Sequence, residues 1–401
     1  MFSPEALIML RSLALIFALS TPLALADTPP PKEPVPTGAE APFPGTPPAP
    51  PADAPANEPT APVSEPNVMA PPAPLAPAAP AGPNPADEQK QFDQYRRDLI
   101  NLLALRAEAD MLVAAAELAY PDTLDKKRPP ALKTPSLLKR AQKFGPESPL
   151  VWWVSTFLEC PPKTANCTHE SAAKLQEVDA DNVAAWLPAL YAEKDAARAR
   201  ALIATMAQAH RFDDFWSPSV LAVYNALKIL AVPEDVLSQG INATAARLNF
   251  ATSVGGAFMP NYQRLGEICT KADAQDSALI GDCLAIAHLL ESGGTFRSQA
   301  VGFTLENSLL PAGTARDVAK ARQRSAAWQK ERFLQLSGRF PREEYLAQIY
   351  MDLLQEQHNE LATATAFLRS QKIATDPPPG WQPQDRTGEA PRGPLAPVPG
   401  Q

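Results

Sequence analysis

The sequence predicts an all-α protein: a right-handed helical-repeat α-solenoid flanked by disordered proline-rich segments. Three observations predict it. Of 46 prolines, 2 fall in residues 1–26, 22 in 27–86 and 8 in 373–401, leaving 14 for residues 87–372. Within 87–372 the apolar residues recur at three- and four-residue steps, the spacing of a buried helix face. Finally, the pattern of residues 147–157 returns at 181–191, displaced by 34 positions.

In chain order, residues 12–19 (SLALIFAL) form a short apolar core behind Arg11, followed by Ser20-Thr21-Pro22 and Leu23-Ala24-Leu25-Ala26. An apolar stretch ending in small residues is the pattern of a secretory leader, here a signal peptide over 1–26 cut after Ala26. Glu5 precedes the leader's only basic residue, and a start at Met9 gives a more ordinary front end, so both starts stay open. No cysteine lies near the cleavage point, which argues against a lipid-anchored N-terminus. The leader stretch is too short to span a bilayer, and no apolar run elsewhere reaches the roughly 20 residues a membrane helix needs, so no transmembrane segment is expected after cleavage.

Residues 27–86 alternate proline with Ala, Thr and Glu and carry a net charge of −5. Such a stretch buries too little apolar surface to offset its ordering entropy, and proline biases it to an extended polyproline form. It reads as a disordered linker, a tether or spacer, and the 373–401 tail reads the same way, with Trp381 a small anchor at most. The whole chain is acidic, at −8 from 36 basic and 44 acidic residues. That balance argues against nucleic acid or an anionic membrane as the main partner.

The helical domain spans 87–372. Phe92, Tyr95, Leu99, Leu102, Leu103, Met111, Leu112, Ala115 and Leu118 form one apolar run that Tyr120-Pro121 ends. Further helices are predicted at 136–144, 148–158, 170–178, 182–192, 195–208, 219–231, 234–252, 261–272, 276–291, 296–309 and 314–337. Pro341 suits a helix start, and Leu346, Ile349, Leu353, Leu361 and Phe367 line one face up to Lys372. Ser253-Val254-Gly255-Gly256 reads as a helix break. Only VWWVSTF, 151–157, has the composition of a strand.

The internal repeat assigns that segment to a helix. A shift of 34 places Glu147 on Asp181, Ser148 on Asn182, Trp152 on Trp186, Trp153 on Leu187 and Phe157 on Tyr191. With the second helix carried by Ala197, Ala201, Ile203, Ala204 and Ala207, and a third copy opening near Phe215-Trp216-Ser217, residues 134–231 resemble tetratricopeptide-like helical-repeat proteins. Leu190 stands where that family has a small residue, and Pro188 is expected to kink the helix. The chain as a whole also resembles exported alanine-rich helical proteins of Gram-negative bacteria, which implies the periplasm rather than full secretion.

The four cysteines permit three pairings, and the sequence does not choose among them. An oxidising compartment makes local bonds Cys160–Cys167 and Cys269–Cys283 the economical expectation. With four histidines and no Gly-x-Ser-x-Gly elbow, His-Glu-x-x-His helix or phosphate-binding loop, the chain lacks the common catalytic constellations. His210, Asp213 and Asp214 share one face if their segment is helical, and form a candidate metal or acid–base cluster. Against that stands an inter-repeat turn in which an Asp caps the next helix and Phe212 and Trp216 are core. His288 and His358 read as packed or solvated. No catalytic residue, cofactor or metal is assigned. The expected function is binding of a protein or peptide partner. The alternatives are a cell-envelope enzyme acting on a cell-wall or peptide substrate, with carboxylates assembled across repeats, and a structural envelope component.

Overall fold

A computed structural model describes residues 85–120, 129–159, 170–233 and 241–383. Among them are fifteen α-helices and no strand, with one isolated bridge between Asn182 and Arg211. No helix of the described residues is long and apolar enough to cross a membrane. The leader, the linker up to residue 84 and the Cys160–Cys167 loop lie outside the described residues.

The expected first run is two helices, α1 (Pro85–Leu103) and α2 (Ala109–Leu118). No proline or glycine marks the break. Arg140, on α3 (Thr134–Phe144), donates to the carbonyls of Ala104 and Arg106 and so satisfies the backbone where the chain leaves α1. The strand-like VWWVSTF lies inside α4 (Pro149–Glu159), and α5 (Glu170–Val178) begins on an acidic residue that suits the positive helix start. A short 3-10 turn at Val183–Trp186 leads into α6 (Leu187–Ala192). Pro188 sits in the first turn of α6, where its missing N–H costs nothing, so it marks a helix start and not a kink. Next come α7 (Ala196–Met206), capped by Asp195, and α8 (Trp216–Ala226).

The second half holds α9 (Ala243–Gly256), α10 (Gln263–Thr270), α11 (Ser277–Glu291), α12 (Phe296–Leu309) and α13 (Thr314–Ser337). The expected break at 253–256 is the end of α9. A side chain at Gly255 would come within 2.9 Å of a Val220 methyl, so the glycine allows α8 and α9 to close on each other. The last apolar face divides into α14 (Glu344–Gln357) and α15 (Glu360–Ser370), because His358 adopts a left-handed conformation and turns the chain. The tail does not leave the domain at 373. Trp328 donates to Ala374 O and Gln329 to Thr375 O, and the Trp381 ring stands edge-on to Trp328 at 5.2 Å.

Two aromatic centres hold the packing. In one, Trp153 stacks on Phe215 at 4.8 Å and meets Phe157 at 5.0 Å, while its indole N–H donates to Phe258 O. In the other, Phe333, Phe340, Tyr350 and Phe367 meet at 5.3–6.4 Å. Helices adjacent in sequence pack as pairs, above all α11 with α12 and α2 with α3. Distant helices meet too: α2 lies on α8, α7 on α11, and α9 on α14.

Candidate functional site

Two places in the fold concentrate ionisable groups. The first is a row of inter-helix turns. Asn182, Thr295 and Asn359 cap their helices with side-chain oxygens, and Asp213 and Asp214 accept from the N–H groups of Phe215 and Trp216 at the start of α8. The turns join directly. Asn182 bonds both Asp179 and Asp213 O, and Asp214 Oδ2 accepts from the Thr295 hydroxyl at 2.5 Å. Glu360 Oε2 accepts from Phe296 N–H at 2.9 Å, and its own N–H donates to Gly294 O. The approach needs glycine: a side chain at Gly294 would lie 2.9 Å from Asp214 Oδ1.

Here the expected His210, Asp213 and Asp214 cluster comes apart. Residues 210–215 are a turn, not a helix. His210 faces outward and its Nδ1 meets Asp181 Oδ1 at 2.6 Å, which holds Asp181 below the usual carboxylate range. Arg211 pairs with Asp179. Phe212 and Trp216 are buried in the core. Phe215 takes a left-handed backbone (φ 60°), a strained state that its stacking on Trp153 and the bond to Asp213 hold in place. Burial pushes Asp213 up, and it pushes both Asp214 and Glu360 up to about 7. Asp214 and Glu360 are 1% and 4% exposed, so these carboxyls are enclosed where the four turns pack together.

The second place is a groove of about 590 Å³ between α13 and the α11–α12 pair. Val318, Ala321, Arg322, Ala326 and Gln329 recur at helical spacing along one face of α13, and His288 and Glu291 of α11 and Phe303 of α12 stand opposite. Beneath the rim, Arg322 donates to both oxygens of Glu306 (2.7 and 2.8 Å) and to Glu291 Oε2 (3.2 Å). His288 Nε2 lies 3.1 Å from Glu306 Oε1. Burial, reinforced by the Glu306 carboxyl beside it, pushes Glu291 up to about 7. Burial also works to raise Glu306, but its bonds to Glu291, Arg322 and His288 outweigh that and hold it below its ordinary value. The two carboxyls are thus pushed in opposite directions, Glu291 up and Glu306 down.

The one visible trace of this groove in the sequence is the His288–Glu291 spacing, one helical turn apart. A third buried carboxyl lies in the core: Glu117 of α2 accepts from the Ser219 hydroxyl at 2.5 Å, and burial pushes it up to about 8. Cys269 and Cys283 form a disulfide between α10 and α11. Of the tryptophans, Trp153 and Trp216 are core, and Trp152, Trp186 and Trp328 bond backbone carbonyls around their own helices or the tail. No protein family matches the chain, and neither a curated protein nor a solved structure does.

Proposed function

We propose that the protein is an exported helical scaffold that binds an extended segment of a protein or peptide partner in the groove between α11–α12 and α13. The groove carries this reading. Its apolar lining is Phe303, Val318, Ala321 and Ala326, while Gln299, Gln329 and Arg322 on its polar side, now bonded to Glu291 O, Thr375 O and Glu306, can exchange those bonds for a partner's backbone or carboxylate. The proline-rich arm is the tether that presents the domain, and the compartment is the periplasm rather than the medium. The apolar leader and the Cys269–Cys283 bond support export.

Support for a tetratricopeptide-like repeat comes from two indoles 34 residues apart. Trp152 donates to Pro146 O and Trp186 to Ala180 O, each six residues back. The right-handed repeat stack is proposed for 134–231, with later helices closing over it.

The test is affinity capture from an envelope fraction with the mature chain, an Ala321→Arg variant that fills the groove, and a chain lacking the arm. A partner recovered in stoichiometric amount by the mature chain and lost with Ala321→Arg is the expected result. Equal recovery by both, or none, would overturn the proposal. The chain lacking the arm shows whether the arm contributes. A second reading, an enzyme acting on a cell-wall or peptide substrate, draws on Glu291, pushed up by burial, beside Glu306, held low by its bonds, a pairing suited to acid and base roles. Turnover abolished by Glu291→Gln would favour it over binding alone.

A further inference from the structure

The groove wall brings together three side chains of the kind that bind transition metals. His288 Nε2 and carboxylate oxygens of Glu291 and Glu306 all lie within 4.8 Å of one another, and the His288–Glu306 separation is 3.1 Å. Bonds of roughly 2.0–2.2 Å to a tetrahedral zinc ion set ligand atoms about 3.4 Å apart, so a small change of rotamer suffices. The backbone already supplies the arrangement. His288 and Glu291 share one face of α11. Glu306 is brought opposite because Gly302 lets α12 close on α11; a side chain there would lie 2.6 Å from Ala287 O.

Two further observations point to a cation. Glu291 is nine-tenths buried, and its Oε1 has no hydrogen-bond partner although it is shielded from water. Such an oxygen is costly unless a proton, a donor or a cation satisfies it, and the open groove lets a cation reach it. The site also opens to solvent: His288 is 57% exposed and, with Glu291 and Arg322, lines the groove, which provides an entry path and room for a water as fourth ligand.

We propose that His288, Glu291 and Glu306 bind one divalent transition-metal ion of the zinc class, with Arg322 as the cation that competes for the same oxygens. One imidazole and two carboxylates suit zinc better than magnesium or calcium, which prefer all-oxygen sets. Arg322 is 44% exposed, so its guanidinium can swing into the groove as the ion takes its place on Glu306 and Glu291. The competition gives the site a signature that adventitious surface binding lacks: removing a cationic side chain should tighten it in a defined place.

The experiment uses the untagged mature chain, stripped with a chelator and titrated with Zn²⁺ against a chromophoric competitor. One ion per chain is expected. His288→Ala and Glu291→Gln should each weaken binding by roughly tenfold or more, Arg322→Met should tighten it several-fold, and His210→Ala should change nothing. Co²⁺ in place of zinc should give the intense visible bands of a four-coordinate ion, lost in His288→Ala. No stoichiometric binding, binding indifferent to His288→Ala, binding weakened by Arg322→Met, or binding lost with His210→Ala would each overturn the proposal. Because His288 is largely exposed, its variant keeps the test sound even if Glu291→Gln disturbs folding.

Discussion

The turn row and the groove both bury carboxylates, but they neutralise them by different means. Asp214 and Glu360 accept from backbone N–H groups and a hydroxyl, neutral donors fixed by helix starts, with the Lys330 charge acting on Glu360 only at longer range. Glu291 and Glu306 instead meet a guanidinium and an imidazole on long or exposed side chains. Neutral donors cannot leave without unravelling a helix end, so the turn row is part of the architecture. Partners carried on exposed side chains of a groove wall can exchange for water, a ligand or an ion, as the proposed binding there requires. A shifted pKa therefore does not by itself distinguish a structural acid from a functional one; the mobility of its partners does.

The strongest way to break this comparison is truncation. Asp214→Ala removes a cap from α8 and strands the Thr295 hydroxyl, and should cost about 2–4 kcal/mol in urea unfolding. Glu291→Ala removes a buried carboxyl whose partner Arg322 can turn to water, and should cost about 1 kcal/mol or less. Equal costs would erase the distinction.

A smaller effect comes from pH. Unfolded carboxyls lose their protons near pH 4, whereas Glu117 holds its proton in the fold to about 8, and Asp214 and Glu360 to about 7. The folded state thus binds more protons across that window, and the stability these groups contribute declines as pH rises from 5 to 8. The melting temperature should fall over that range, and Glu117→Gln should flatten the upper part of the curve. A melting temperature that rises from pH 5 to 8 would show these groups ionised in the fold.

Salt should separate the two sites most finely. The Arg322 pair at the groove is partly exposed, so the cost of Arg322→Met, below about 1 kcal/mol, should shrink between 0.1 and 1 M salt. The cost of Asp214→Ala should stay constant over the same range.

The fold was more legible than the site. Helices α5, α12 and α13 lie within the predicted bounds because their start signals are local: an acidic first residue, the Thr295–Ser298 capping box, a glycine before Thr314. The 34-residue shift placed VWWVSTF in a helix against its own β-branched composition. The break after α1 was invisible because the carbonyls there are satisfied by Arg140, 34 to 36 residues away. The turn at His358 was missed because it has no glycine to announce it. His210, Asp213 and Asp214 looked like a cluster only on the assumption of a helix. His288, Glu291 and Glu306 needed the pairing of α11 with α12, which depends on how closely Gly302 lets the backbones approach, and spacing along one chain does not carry that.

The long reach of the contacts has a consequence for how the chain folds. Asn242 donates to Phe340 O and Pro341 O, 98 and 99 residues away. Tyr95 reaches Leu230 across 135 residues, and Trp153 reaches Phe258 across 105. Each helix can form quickly by itself, but the contacts that hold it are made only after loops of that size have closed, and closure entropy is paid in advance. Its kinetics should therefore resemble those of mixed or sheet-rich domains more than those of a simple helical bundle. The Cys269–Cys283 bond, closing a separation of 14 residues, does nothing to shorten those searches. Nor can a segment be excised as an independent unit, because its stabilising partners lie a third of the domain away.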